Sequence, residues 1–227
     1  MTIWHGIGSQ LGRPTGLGGR VIGHIMRFVN DETNRIAVER LDIRAGNNVL
    51  ELGCGPGHGI KLVASRVASG VVHGVDLSPV MLAQAGRRNR REVEKGRVIL
   101  HHASFDDLPF ESASIDRILA VNVIYFWNDL EAVAAEALRV LRPGGKISIY
   151  ATGRESMRRW KFAGPETHRL FGAGDLAETL RAEGFRQCDI RVGCVKIARR
   201  IEGLIAEITK PANTELSDHQ ISKGPAR

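Results

Sequence analysis

Val49-Leu50-Glu51-Leu52-Gly53-Cys54-Gly55-Pro56-Gly57-His58-Gly59 is the stretch on which the reading of this chain turns. Val49 to Leu52 is short and nearly all apolar, the pattern of a parallel strand covered on both faces. The strand runs straight into three alternating glycines. Glycine suits a backbone that must turn tightly and come close to a ligand, and a Cβ at Gly53 or Gly55 would fill space such a ligand needs. Beyond the turn, Ile60, Val63, Ala64 and Val67 recur at helical spacing. A merely structural strand–helix turn needs one glycine, not three with an acid two residues before the first.

Two ligand classes compete for such a loop. A dinucleotide fingerprint wants a glycine where this chain has His58, and a pyrophosphate would be repelled by Glu51. A ligand carrying a cationic amino-acid group would instead be drawn to Glu51. A phosphate-cradling P-loop is excluded, because no Gly-Lys-Ser/Thr follows. Asp76, at the end of the next apolar run, stands where α/β folds hydrogen-bond ribose hydroxyls.

Working outward, β-branched runs predict strands at Asn48–Leu52, Val71–Val75, Arg97–His102, Ile115–Val121 and Lys146–Tyr150. Ser78-Pro79 predicts a helix start, with Ser as cap and Pro in the first turn. Leu130, Val133, Ala134, Ala137, Leu138 and Leu141 form an amphipathic stripe that ends at the predicted turn Arg142-Pro143-Gly144-Gly145. Asp175 and Glu178 have the spacing of a capping box, and Gly184 closes that helix. Gln187–Ile197 and Leu204–Thr209 then read as two strands joined near Glu202-Gly203. Alternation of strand and helix over 47–150 is the signature of a parallel sheet with crossover helices.

The chain has 227 residues, 43% apolar and 25% charged, enough for one large α/β core. No run of 18 apolar residues and no signal-peptide pattern is seen, so a cytoplasmic location is expected. Cys54, Cys188 and Cys194 make neither a disulfide framework nor a zinc spacing. The net charge of +7 raises nucleic acid as a partner, but the densest basic run, Arg87 to Arg97, also holds Glu92 and Glu94 and reads as a solvated helix face. Metal-assisted chemistry is not expected, since Asn122-Val123-Ile124-Tyr125-Phe126-Trp127 supplies no carboxylate before Asp129.

In combination these motifs resemble the class I S-adenosylmethionine-dependent methyltransferases, in the small-molecule branch that includes the ubiquinone-biosynthesis enzymes. Glu51 to Gly57 is similar to that family's cofactor loop, and Gly74-Val75-Asp76-Leu77-Ser78-Pro79 to its ribose acid and helix start. Asp106-Asp107-Leu108-Pro109-Phe110, Ser114-Ile115-Asp116 and Leu141 to Lys146 match later segments. The likeness is close over 47–150 and loose over 172–210.

The resemblance implies a Rossmann-like, doubly wound seven-stranded α/β sheet of order 3-2-1-4-5-7-6, last strand antiparallel. It implies a methyltransferase domain at 47–210 with an N-terminal helical lid at 1–46, for which an edge-covering helix with a frayed end is the alternative; the polar composition of 211–227 predicts a disordered tail. It implies S-adenosyl-L-methionine as cofactor, with S-adenosyl-L-homocysteine as product. Gly53, Cys54, Gly55 and Gly57 would pass under the amino acid and ribose. Glu51 would meet the ammonium through water, and Asp76 both ribose hydroxyls. Leu77 and Met81 would flank the adenine, and Asn122 the methionine part. Ser104 stands where the family often has an acid for the adenine amino group, so that contact would weaken or pass to the Phe105 backbone.

No catalytic residue is assigned. His5, His24, His101, His102, His168 and Tyr125 are the candidates should a base be needed. Trp4, His5, Tyr125 and Trp127 are expected to wall a small acceptor, with aromatic or heterocyclic compounds as candidates, and Gln10 or Arg13 to reach the cofactor. An RNA methyltransferase using the basic surface, and an inactive cofactor-binding protein, are the alternative readings.

Overall fold

The computed structural model describes residues 31–159, 169–198 and 201–212. They form a seven-stranded sheet of order β3-β2-β1-β4-β5-β7-β6, as the resemblance implied. Its strands are β1 (Val49–Leu52), β2 (Val72–Asp76), β3 (Val98–His102), β4 (Ile115–Val121), β5 (Leu141–Thr152), β6 (Asp189–Ala198) and β7 (Ile201–Thr209). β1 to β5 are parallel to one another, and β7 runs antiparallel to both β5 and β6.

The helices are α1 (residues 31–40), α2 (His58–Ala64), α3 (Pro79–Arg88), α4 (Arg90–Glu94), α5 (Leu130–Val140), α6 (Arg154–Met157) and α7 (Ala173–Ala182). Successive strand residues face opposite ways, and β1 shows the consequence. Val49 joins a core with Ala37, Val38, Leu41, Ile60, Val63 and Ala85 from α1, α2 and α3. Leu50 and Leu52 join the opposite core with Val133, Ala137, Leu176 and Leu180 from α5 and α7. Helices thus cover both faces, which is why the central strands read as nearly continuous apolar runs.

The expected caps form, with one correction. Ser78 Oγ accepts from the N–H of Met81, and Pro79 takes the first turn. In α7, Asp175 is not the cap. Gly172 is, and the Asp175 carboxylate reaches back to its N–H at 2.7 Å. Gly184 closes this helix at φ 118.

Two expected turns lie inside strands. Arg142 to Gly145 belongs to β5: Leu141 pairs with Ile115 and Lys146 with Arg117, and the residues between loop out as a bulge. Gly144, at φ 73, donates from this bulge to the carbonyl of Lys210. Glu202 and Gly203 belong to β7, and the connection from β6 falls at 199–200, outside the described residues. Gly203 is required there by close approach rather than by a turn. A Cβ on it would lie 2.2 Å from the hydroxyl oxygen of Tyr150.

Helix α1 lies on the N-terminal side of the boundary expected at residue 46, yet Ala37, Val38 and Leu41 are fully buried. Its end is fixed by Arg117, whose Nε donates to the carbonyl of Leu41 at 2.7 Å.

Towards the β3 edge, His73 Nδ1 and His101 Nε2 lie 3.2 Å apart, and both rings meet Phe110 edge-on. Burial, then the His101 ring, pushes the His73 pKa down to about 4 from 6.5, and burial lowers His101 as well. A depressed histidine is favoured neutral in the folded state, so its contribution is present above pH 6.5 and is lost as pH falls through about 4. Chemical denaturation at stepped pH should show stability falling across that window, with a shallower fall in His73→Gln. Equal slopes for the two proteins would contradict this role.

Candidate active site

The parallel strands point their carboxyl ends at one edge of the sheet, and the chemistry-bearing residues collect there. Gly53, Gly55 and Gly57 have φ of 67, 51 and 81, the left-handed region that glycine enters without strain. Their reasons differ. A Cβ on Gly53 would stand 2.5 Å from Val123 Cγ2, so there the obstacle is the chain itself, not a ligand. A Cβ on Gly57 would meet Asn89 Nδ2 at 2.7 Å and Ala85 at 2.8 Å. Only at Gly55 is there nothing within 4 Å, and this is the open side of the loop.

Glu51 lies beneath the loop, 3% exposed. It accepts from the N–H of Ile60, and a Cβ on Gly59 would come within 2.2 Å of its Oε1. Its Oε2 is buried and has no hydrogen-bond partner. Burial and then the nearby Asp76 charge push its carboxyl well above the usual carboxylate range. The cavity beside it is lined by Asn34, Glu51, Gly55, Pro56, His58 and Val121, among others. An orphaned carboxylate oxygen at such a cavity matches an ammonium group.

Asp76 closes the other side. Its Oδ2 accepts from Gly55 N–H and its Oδ1 from Ser78 N–H, both at 2.8 Å. Each oxygen keeps acceptor capacity for a further donor, which suits a vicinal diol. Burial raises its pKa, against the pull of those two backbone donors.

The other predicted residues are placed less uniformly. Cys54 is 3% exposed, its sulfur turned toward the β2 glycine Gly74, and burial raises its thiol pKa. Its backbone, not its thiol, is what the loop can offer. Leu77 is half-buried, whereas Met81 is 1% exposed and offers no surface beside it. Ser104 donates its hydroxyl to the Asp106 carboxylate, and Phe105 is buried. Asn122 ends β4 at φ 53, a conformation asparagine tolerates better than most residues. Its Oδ1 accepts from the Thr152 N–H and hydroxyl at 3.1 Å and from the Tyr125 hydroxyl at 3.0 Å.

Tyr125 is therefore engaged in holding β4 to β5. It is 6% exposed, and burial raises its pKa far above the ordinary phenol value, which favours the protonated phenol. Trp127 is also buried, with its indole N–H unpaired. His101 is paired with His73, and His102 Nε2 lies 3.1 Å from the Leu77 carbonyl. Trp4, His5, Gln10, Arg13, His24 and His168 lie outside the described residues. Among the described residues no group of three metal-ligating side chains occurs, and no helix is long and apolar enough to cross a membrane.

Sequence reasoning missed two polar side chains lining the cavity. Asn34 is 4% exposed and shares a helix face with Ala37, Val38 and Leu41. An amide on an otherwise apolar stripe was the available signal. His58 opens α2, and its Nδ1 lies 2.8 Å from Asp31 Oδ1 of α1. That contact joins two elements remote in sequence, so nothing local announced it.

Residues 50–149 match the family model described as a methyltransferase domain. The chain is 32% identical over 176 residues to "Uncharacterized methyltransferase YdaC" of Bacillus subtilis, covering 78% of this chain and 92% of that relative. It is 33% identical over 126 residues to the demethylmenaquinone methyltransferase of Tropheryma whipplei, covering 55% of this chain and 50% of the other, about half its length. Among solved structures, a SAM-dependent methyltransferase from Aquifex aeolicus matches with TM-score 0.64 at 20% identity, over 79% of this chain and 92% of that one.

The raised carboxyl of Glu51 gives a signed prediction. An ammonium brought against it favours the ionised form, so binding expels a proton and affinity falls as pH is lowered. Calorimetry of S-adenosylhomocysteine in buffers of differing ionisation enthalpy should show proton release. Release should vanish in Glu51→Gln and with 5′-methylthioadenosine, which lacks the ammonium. Equal proton release from Glu51→Gln would contradict the assignment.

Proposed function

The chain belongs to the class I S-adenosylmethionine-dependent methyltransferases, and from that membership we propose that it methylates a small-molecule acceptor, without a metal ion, by in-line displacement. The observation that carries the reading is the pair of buried carboxylates, Glu51 with an orphaned oxygen and Asp76 with two preset oxygens, on either side of an open glycine loop. This arrangement fits the cofactor's ammonium at one end and its ribose diol at the other. When bound, the cofactor supplies a methyl group made electrophilic by its own sulfonium charge.

What the residues contribute is position and dryness. Glu51 and Asp76 fix the two ends, and the loop passes between them. The Asn122–Tyr125–Thr152 network holds the ends of β4 and β5 rigid at the same edge of the sheet. Holding the reacting atoms in line at near-attack distance supplies most of what such a displacement needs. With the cofactor held by Glu51, Asp76 and the loop, a lone pair of the acceptor would displace the sulfur from the methyl carbon, and the sulfur would keep the electron pair of the broken bond. An acceptor that bears a proton loses it to solvent or to a base of the protein.

Small-molecule relatives such as the demethylmenaquinone enzyme support this acceptor class. The basic surface supports it too, because much of the positive charge is already paired. Arg90 meets Glu94, Arg97 meets Glu92, Arg139 meets Glu136 and Arg142 meets Asp116.

Asp76→Ala should weaken S-adenosylhomocysteine binding by roughly 1.5–3 kcal/mol, the worth of charge-assisted hydrogen bonds. Unchanged affinity in a folded variant would remove the ribose assignment. With methyl-labelled S-adenosylmethionine, label should pass to a panel of small phenols, quinols and amines, undiminished by a chelator. Transfer to RNA alone, or transfer abolished by the chelator, would contradict the proposal.

A further inference from the structure

The junction between α3 and α4 holds a buried amide that neither helix uses as a cap. Asn89 lies between Arg88, the last residue of α3, and Arg90, the first of α4. At such an N-cap position an asparagine ordinarily turns its oxygen back onto the first helical turn. No side-chain cap bond forms here. The side chain is 4% exposed, and its Nδ2 donates instead to the carbonyls of Gly57 at 3.0 Å and Ala85 at 2.9 Å. Both neighbours are carbonyl oxygens, which only accept, so the nitrogen must be the atom that faces them.

The preceding residue acts on the same loop. Arg88 Nε donates to the carbonyl of Pro56 at 2.8 Å. Two successive loop carbonyls are thus held by two successive residues at the end of one helix. The start of that helix is fixed at the other motif, where Asp76 accepts from Ser78 N–H. Helix α3 therefore grips the loop with its far end while its near end sits on Asp76. A peptide's carbonyl and N–H point in opposite directions, so pinning the carbonyls also sets which way the peptides face. Glycines have the most backbone freedom to lose, and a loop ordered in advance need not be ordered on binding.

We propose that Asn89 and Arg88 are positioning residues that hold the Gly53–Gly57 loop in its binding form and thereby set cofactor affinity. Neither is assigned contact with the cofactor. The proposal rests on reading this loop as the cofactor site.

The test is calorimetry of S-adenosylhomocysteine together with hydrogen exchange at the backbone amides of residues 53–55 and 57–59. Asn89→Asp keeps the shape but turns a carboxylate oxygen toward two carbonyls. Affinity should fall about tenfold or more, and loop exchange should quicken while β4 and β5 stay protected. Arg88 is exposed, so its variants put folding at little risk. Arg88→Met should weaken binding severalfold. Arg88→Gln should restore it, because the glutamine nitrogen stands the same number of bonds from the backbone as arginine Nε. If Asn89→Asp does not fold, the Arg88 pair decides. Parental affinity in folded Asn89→Asp, even with a lower melting temperature, would overturn the proposal, as would Arg88→Gln binding no better than Arg88→Met. Failure of the unaltered chain to bind S-adenosylhomocysteine would overturn the cofactor reading itself, and the proposal with it.

Discussion

The side-chain hydrogen bond that joins the two halves of the site runs from the N–H of Gly55 to Oδ2 of Asp76, at 2.8 Å, beside backbone bonds from Gly53 and Cys54 to the Val75 carbonyl. It ties the turn after β1 to the end of β2. Gly55 presents that N–H from a positive φ of 51, and Asp76 ends its strand beside the loop. The parallel pairing of β1 with β2, which sets Leu52 opposite Val75, brings the two into reach. Covering helices keep both carboxylates dry. Dryness raises their pKa values, and it also strengthens every interaction a bound cation or hydroxyl can make with them.

A second device keeps the ends of β4 and β5 stiff. Asn122 adopts a left-handed conformation at the end of β4, and its side chain gathers donors from Thr152 and Tyr125. The Asn122 N–H itself donates to the Tyr150 carbonyl. Tyr125 and Thr152 thereby brace the two strand ends against each other. The reaction class suits this, since a sulfonium methyl needs alignment more than it needs a protein acid or base.

Much of the fold was legible because local and tertiary demands agreed. β1 and β2 are buried on both faces and so read as apolar runs, and Ser78-Pro79 and Gly184 punctuate helices by local chemistry alone. The two misplaced turns show where agreement ended. Pro143-Gly144-Gly145 reads as a break, but the end of β7 supplies partners that keep it in the sheet as a bulge. Gly203 reads as a turn, but it is small because Tyr150 lies against it. In the site, Gly55 and Asp76 announced themselves by motif. Asn34, His58 and Asn89 did not, because each acts on a partner from another element: Asn34 on the β1 cavity, His58 on Asp31, Asn89 on Gly57. A single sequence does not display such pairings.

The central claim is that one ligand spans Glu51 and Asp76 across the loop. A crystal structure with S-adenosylhomocysteine tests it most directly. The account predicts the ligand ammonium bonded to Glu51 Oε2, directly or through one water, and both ribose hydroxyls on Asp76, with the chain passing over Gly55. A ligand bound with its ribose away from Asp76, or with its ammonium facing solvent and Glu51 Oε2 still unpaired, would contradict it.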